Sequence, residues 1–320
     1  MSSILLTGAS GFIGGALATR LAADGHRLRL ATRMPLSSQP AGCEVFYFNG
    51  LGFDIDWTEA LDGIEIVVHC AAQAHVIARS AVDSLDEIRH INVDPTINLA
   101  RQSIRAGVRR FVFMSSAKVF GEQSPPGHPF TVDSPPAPTH LYAISKYEAE
   151  RALFALTASS EIQVVIVRPP LVYGPGVKAN FLRMIQWLDR GLPLPLALID
   201  NRRSLVALDN LVDLLARAIP HPAATHQILL ASDDEDLSTP ELLTRLGAAM
   251  GRAPRLLPVP TWLLRCSASL LGRYADIQRL CASLQVDISH TRHLLDWTPP
   301  LSVDQALART VAGFRAGTSS

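Results

Sequence analysis

Short, wholly apolar runs recur through the first half of the chain: ILLT (Ile4–Thr7), IVVHC (Ile66–Cys70), FVFMSS (Phe111–Ser116) and VVIVR (Val164–Arg168). They do not alternate apolar with polar, which is the pattern of strands covered on both faces. The spacing predicts strands at Ile4–Thr7, Leu28–Thr32, Val45–Phe48, Ile64–Cys70, Arg110–Ser115 and Gln163–Arg168. Helices are predicted between them at Phe12–Ala23, Leu85–Ala106 and Leu141–Ala158. Strand–helix alternation of this kind predicts an α/β fold built on a doubly wound parallel sheet. No repeat with a period of about 20–50 residues is visible.

After Arg168 the texture changes. Prolines crowd Pro169–Pro175, Pro193, Pro195, Pro254, Pro258 and Pro260, and helices are predicted at Phe181–Asp189, Leu211–Ala218, Pro240–Met250, Thr261–Leu271 and Val303–Arg315. The expected division is a dinucleotide-binding domain over 1–170 and a smaller, mostly helical substrate-binding subdomain over 171–320. Segments near 200–232, including Arg203–Leu208 and Gln227–Ala231, are candidates to return to the main sheet or to a small satellite. Ser124–Pro138 reads as a proline-rich surface loop.

Composition narrows the function classes. The 320 residues are 48% hydrophobic and 18% charged, as in folded globular proteins. Formal net charge is zero, so no global field points to nucleic acid or an anionic membrane. The ten histidines are scattered without metal-ligand spacing, and no metal site is expected. Cys43, Cys70, Cys266 and Cys281 are far apart and sit mostly in apolar runs, so they read as buried free thiols of a reducing compartment. The apolar runs Leu192–Ile199 and Trp262–Leu271 are too short for a membrane span. A soluble cytoplasmic protein without membrane insertion is expected.

The first chemical signal is Thr7-Gly8-Ala9-Ser10-Gly11-Phe12-Ile13-Gly14, between the first strand and the first helix. Gly8 permits a tight turn, Gly11 lets the backbone approach a pyrophosphate, and Gly14 permits close helix–strand packing. The helix N-terminus then offers free N–H groups and the positive end of its dipole to phosphates. A glycine triplet alone is weak, but the strand–turn–helix context makes it specific. The second strand ends Leu30-Ala31-Thr32-Arg33, with no carboxylate for a ribose 2′-hydroxyl. Arg33 can instead neutralise a 2′-phosphate, which leans the expectation toward NADP(H) over NAD(H). The bland alternative is a solvated surface charge.

The second signal is Tyr142-Ala143-Ile144-Ser145-Lys146. Four residues apart on a helix, the tyrosine and lysine share a face, separated by about 6 Å of rise. A nearby ammonium favours the phenolate and draws a phenol toward working pH. Alone the pair is common, and its bland reading is a half-buried Tyr beside an exposed Lys. Ser116 follows a predicted strand at the sheet's carboxyl edge, where open α/β sheets bind ligands. A lone serine there more often closes a turn. The order of loop, serine and Tyr-x-x-x-Lys, each on its predicted element, carries the reading.

With these residues in view, the chain resembles the extended short-chain dehydrogenase/reductase family, the NAD-dependent epimerase/dehydratase group. The resemblance covers nearly the whole chain through TGASGFIG (Thr7–Gly14), HCAA (His69–Ala72), Asn92, SSAKVFGE (Ser115–Glu122), YAISK (Tyr142–Lys146), RPPLVYGPG (Arg168–Gly176) and RRSLVALDNLVDLL (Arg202–Leu215). It implies a Rossmann domain in which Tyr142 is the acid/base, Ser116 hydrogen-bonds the substrate, and Lys146 holds the nicotinamide ribose. It further implies that Gly8, Ser10, Gly11, Phe12, Ile13, Gly14, Ala71, Ala72 and Asn92 line the cofactor cleft. Pro169, Leu171 and Val172 would lie under the nicotinamide, while Asn180, Phe181 and Arg203 would touch a sugar nucleotide. A homodimer through the helices near 85–106 and 141–158 is implied as well.

Within the family the chain looks closest to the UDP-glucose 4-epimerase-like branch, which includes the 4-ketoreductases that form UDP-N-acetylquinovosamine. Lys118 replaces the usual hydroxyl residue of 4-epimerases, and Gly50 stands where an adenine-contacting Asp is usual. Net reduction of a UDP-4-keto-sugar is the leading expectation, with a UDP-hexose or UDP-N-acetylhexosamine 4-epimerase close behind. A non-catalytic dinucleotide sensor and a reductase of non-sugar carbonyls rank lower. The first would normally lack Tyr142 or Lys146, and the second is disfavoured by Asn180 and Arg203.

Overall fold

The computed structural model describes residues 1–36, 39–50, 54–73, 85–270, 272 and 274–318. Strands β1 (Ser3–Thr7), β2 (Arg27–Thr32) and β3 (Glu44–Tyr47) alternate with α1 (Phe12–Ala23) and are followed by the short α2 (Thr58–Leu61) and β4 (Ile66–His69). Next come α3 (Leu85–Ile88), a π-helical turn over Arg89–Val93, α4 (Asp94–Arg105) and β5 (Arg110–Met114). A 3-10 turn at Ala117–Phe120 leads through a loop to α5 (Leu141–Thr157), β6 (Gln163–Arg168) and β7 (Leu171–Tyr173).

The remainder holds α6 (Ala179–Asp189), β8 (Leu205–Ala207), α7 (Leu208–Ala218), β9 (Ile228–Leu230), α8 (Thr239–Ala249) and α9 (Thr261–Leu270). It ends with α10 (Tyr274–Cys281), α11 (Ser289–Leu295) and α12 (Val303–Thr318). The expected doubly wound sheet is present: seven strands in the order β3-β2-β1-β4-β5-β6-β9, every neighbouring pair parallel. β7 and β8 pair in parallel as a separate two-stranded sheet.

The apolar strands owe their unbroken runs to a two-sided core. Ile4, Leu6, Ile66, Val68, Val112, Met114, Val165 and Val167 enter the cluster on the α1/α7 face. Leu5, Val67, Phe111, Phe113, Val164 and Ile166 enter the cluster on the α4/α5 face. Side chains alternate between faces every residue, so a strand buried on both sides can have no polar position in the middle. A third core, with Tyr173, Phe181, Leu188, Leu243 and Leu307, fills the C-terminal part.

Chain position and spatial position part company after Arg168. β9 pairs with β6, and α7 packs on α1, while Leu284, Val286, Leu295 and Trp297 also join the α1/α7 core. The strand β7 and the helices α10 and α11 are short and lie where no element is predicted from the sequence. The expectation of buried thiols is corrected: Cys266 is exposed, and Cys43, Cys70 and Cys281 are half-buried, free thiols. In the apolar run that begins at Trp262, the residues described through Leu270 face solvent except Leu264.

Candidate active site

The order of the strands places the switch point between β1 and β4, where ligands of open α/β sheets bind beyond the carboxyl ends. The glycine loop sits there. Gly8 adopts φ +77°, and a Cβ on it would meet the Ala71 nitrogen at 2.7 Å. A Cβ on Gly14 would meet the Gly8 oxygen at 2.2 Å, and one on Gly11 would meet the same oxygen at 3.1 Å. Gly11 is the N-cap of α1 and no side chain caps that helix, which leaves the N–H groups of Phe12, Ile13 and Gly14 open to an anion. This cradle fits a dinucleotide pyrophosphate.

Ser116 caps the 3-10 turn after β5, where its Oγ accepts the Lys118 backbone N–H at 3.2 Å. Its neighbour Ser115 buries an Oγ with no partner among the described residues. Tyr142 lies in the first turn of α5, whose N-cap is His140; the imidazole Nδ1 accepts the Tyr142 N–H at 3.3 Å. One turn on, Lys146 is buried and its Nζ donates to the Met114 carbonyl at 2.7 Å. The same Nζ stands 4.3 Å from the Phe113 ring centroid and 5.9 Å from that of Tyr142. Lysine therefore ties α5 to the end of β5, two residues before Ser116.

Burial governs the ionisation of both side chains. It pushes the Tyr142 phenol up to about 12, and it pulls Lys146 down to about 8, against the charges of Cys70 and Glu150. The sequence argument expected Lys146 to draw the phenol downward. Here desolvation outweighs it, because the ammonium points to the Met114 carbonyl.

Behind these groups runs a hydrogen-bond chain whose protons can be assigned one by one. Thr96 Oγ1 donates to the Asn92 carbonyl at 2.6 Å, so it accepts from His69 Nε2 at 3.0 Å. The imidazole thus carries its proton on Nε2. Burial drops its pKa to about 3, so it is neutral, and bare Nδ1 accepts from Thr7 Oγ1 at 2.7 Å. Thr7 Oγ1 in turn accepts the Ala71 N–H at 3.3 Å. On the other side, Asn92 Oδ1 accepts the Gln73 N–H at 3.0 Å, and Asn92 Nδ2 donates to Ser145 Oγ at 3.1 Å. Ser145 Oγ donates to the Tyr142 carbonyl at 2.9 Å. One network joins the glycine-loop strand, the Ala71–Gln73 wall and the helix carrying Tyr142.

Asn92 reaches this network from the π-helical turn, the local widening that helices often carry at functional sites. The sequence reading named Asn92 but missed Thr7, His69, Thr96 and Ser145. The available signal was an imidazole inside the otherwise apolar IVVHC run.

The remaining expected residues divide. Leu171 is 42% exposed beside the half-buried Val172, and the Pro169 carbonyl accepts the Ala117 N–H at 2.9 Å, so the end of β6 abuts the Ser116 turn. Ala71 is half-buried, and Ala72, Ser10 and Arg33 are exposed. Asn180 is exposed at the start of α6, whereas the Phe181 ring is stacked on Tyr173 in the third core, at 5.3 Å between centroids. Only the main chain of Phe181 remains for a nucleotide. Arg203 is half-buried, its pKa lowered by burial, with Glu122 the opposing charge. Glu122 also holds Lys118 at 3.4 Å, so a cation–anion–cation line flanks the Ser116 turn. Among the described residues no cluster could hold a metal ion.

The sequence model of the NAD dependent epimerase/dehydratase family matches residues 4–230. The chain belongs to this family. A UDP-glucose 4-epimerase of Vibrio cholerae is 40% identical over 314 residues, 98% of this chain and 95% of that protein. The fold is shared with the solved UDP-glucose 4-epimerase of Thermotoga maritima with UDP-glucose (22% identity, TM-score 0.79, 99% of each chain). It is shared also with UDP-glucuronic acid 4-epimerase from Bacillus cereus in complex with NAD (18% identity, TM-score 0.78, 98% and 99%). The protein is an NAD-dependent enzyme of the extended short-chain dehydrogenase type. Among the described residues no helix is long and apolar enough to cross a membrane.

Proposed function

We propose that this enzyme oxidises and reduces C4 of the sugar in a UDP-sugar, acting as a 4-epimerase. The observation that carries the reading is the Lys146–Met114 hydrogen bond, which ties the helix bearing Tyr142 to the end of β5, two residues before Ser116, in the sheet that also carries the glycine cradle. A dinucleotide held by the Gly8–Gly14 cradle would supply hydride acceptance and return at C4. Ser116 orients the C4 oxygen by a hydrogen bond, and Tyr142 exchanges a proton with it. A phenol pushed up to about 12 by burial is protonated at working pH, the form that donates to the oxyanion formed as a C4 ketone is reduced. In the opposite direction the ammonium of Lys146, 5.9 Å from the Tyr142 ring centroid, favours the phenolate. Arg203 pairs with the diphosphate through its guanidinium, with Asn180 at the mouth. A homodimer through α4 and α5 belongs to the same reading. The identity to the Vibrio cholerae enzyme supports epimerisation over the net reduction that the sequence alone favoured.

One observation favours net 4-keto reduction with NADP(H) as a second reading. β2 ends at Thr32 without a carboxylate, Thr32 Oγ1 is spent on the Met34 carbonyl at 2.9 Å, and Arg33 stands exposed for a 2′-phosphate. The two readings separate in one experiment. UDP-glucose and UDP-N-acetylglucosamine are incubated with NAD, and UDP-4-keto-6-deoxy-N-acetylglucosamine with NADPH or NADH, scoring products by mass and NMR. Epimerisation yields the C4 epimer with no net cofactor change, whereas reduction consumes one reduced cofactor per product. Turnover of none of these sugar nucleotides overturns the substrate assignment.

A further inference from the structure

The chain's zero net charge conceals a local imbalance. Among the described residues, ten large apolar side chains are exposed, and six of them lie in two stretches: Leu192 and Leu198, then Leu257, Trp262, Leu263 and Leu270. The stretches run side by side. Leu194 N–H donates to the Arg255 carbonyl, Leu257 N–H to Leu194 at 2.8 Å, and Ala197 N–H to Leu257 at 3.2 Å. Six of ten exposed large apolar side chains falling on two paired stretches is a concentration that surface apolar residues scattered singly do not show.

α9 continues directly from this ribbon and shows how the surface is arranged. At about 100° per residue, Trp262, Cys266, Leu270 and Leu263 fall within an arc of about 100°. All four are exposed, while Leu264, on the opposite side, is the residue that enters the C-terminal core. Trp262 is 65% exposed and Leu270 89%. Over 189–200 and 252–270 the charges are Arg190, Arg252, Arg255 and Arg265 against Asp189 and Asp200, with no lysine or glutamate. All four arginines are exposed.

The geometry points to peripheral docking of this face on an anionic bilayer. An indole and leucines on one stripe enter the headgroup–acyl boundary, while guanidinium groups at its margin pair with lipid phosphates. The excess of arginine selects a negative surface over a neutral one. With no membrane-crossing helix among the described residues, the attachment is reversible and lies in the plane of the interface. This inference does not depend on the sugar substrate.

The test is co-sedimentation of the full chain with vesicles of phosphatidylglycerol and phosphatidylethanolamine, and separately with phosphatidylcholine vesicles, at low and high salt. The expected result is partition to the anionic vesicles, reduced about tenfold by salt or on the neutral ones. Trp262→Ser/Leu270→Ser and Arg255→Glu should each lower partition about tenfold while dinucleotide binding stays intact, which excludes misfolding. The fluorescence of the bound protein should shift to the blue in the parent and not in Trp262→Phe. The proposal is overturned if the parent ignores anionic vesicles or if the variants partition as the parent does. It is equally overturned if Trp262→Ser/Leu270→Ser dissociates a dimer in solution while the parent shows no lipid binding, since a second copy then covers the face.

Discussion

The carboxyl edge of the sheet and the outer face of the C-terminal part use their side chains in opposite ways. At the edge, a chain of buried polar groups is matched: Thr7, His69, Thr96, Asn92 and Ser145 each find partners and Lys146 is spent on a carbonyl, with Ser115 Oγ the buried group left without one among the described residues. At the outer face, apolar groups are left in water, with Trp262 and Leu270 the extremes. A buried network whose protons are all assigned has one low-energy arrangement, so it fixes a wall and a helix to within a hydrogen-bond length. An exposed apolar stripe fixes nothing within the molecule and contributes free energy only when something covers it. Geometry for chemistry is thus stored at the first region, and association at the second.

The sharpest way to break this contrast is at Tyr142. Tyr142→Phe should cut kcat about 10²–10⁴-fold while NAD binding, followed by fluorescence or calorimetry, stays near normal. Survival of most turnover would remove the acid/base from the edge altogether. Gly14→Ala should follow in size, because its Cβ would overlap the Gly8 carbonyl at 2.2 Å. Loss of dinucleotide binding together with about 1–3 kcal/mol of stability is expected from titration calorimetry and denaturant melts.

His69 tests the network itself. Its folded pKa of about 3 lies below the unfolded 6.5, so above 6.5 both states are neutral and the group adds no pH dependence. As pH falls from 6.5 toward 3, the unfolded chain takes up the proton first, and stability is lost by on the order of 3–5 kcal/mol. His69→Gln should flatten that part of the stability–pH curve and lower kcat more than it raises KM for the sugar. Nitrogen NMR of the parent should show the neutral Nε2–H tautomer down to pH 5; an imidazolium there would refute the proton assignment.

A smaller effect is expected at Arg33, where Arg33→Ala should lower the preference for NADPH relative to NADH by about tenfold if the arginine reads a 2′-phosphate. An unchanged ratio leaves it a surface charge. The smallest belongs to the outer face. Trp262→Ser/Leu270→Ser should leave stability within about 0.5 kcal/mol and soluble-substrate turnover unaltered, since neither side chain is in a core.

What the sequence determined by itself was the set of elements that carry a period and the motifs that sit on them. Runs such as VVIVR carry the pattern of two-sided strands, and Gly8-x-x-Gly11-x-x-Gly14 between such a strand and a helical period reads as a tight turn, because both follow from rules spanning a few neighbouring residues. Tertiary structure decided the rest. Thr7 and His69 are 62 residues apart in the chain, and His69 and Thr96 are 27 apart, so no local pattern announces their contact. The Tyr142 pKa rose rather than fell because burial, a property of the assembled edge, outweighed a lysine whose spacing alone suggested the opposite. The run around Trp262 is apolar in sequence, yet which of its side chains is buried was decided by the face of α9 that meets the third core, where Leu264 enters. Periodicity is written in one dimension, whereas desolvation and long-range pairing exist only once distant segments share a volume.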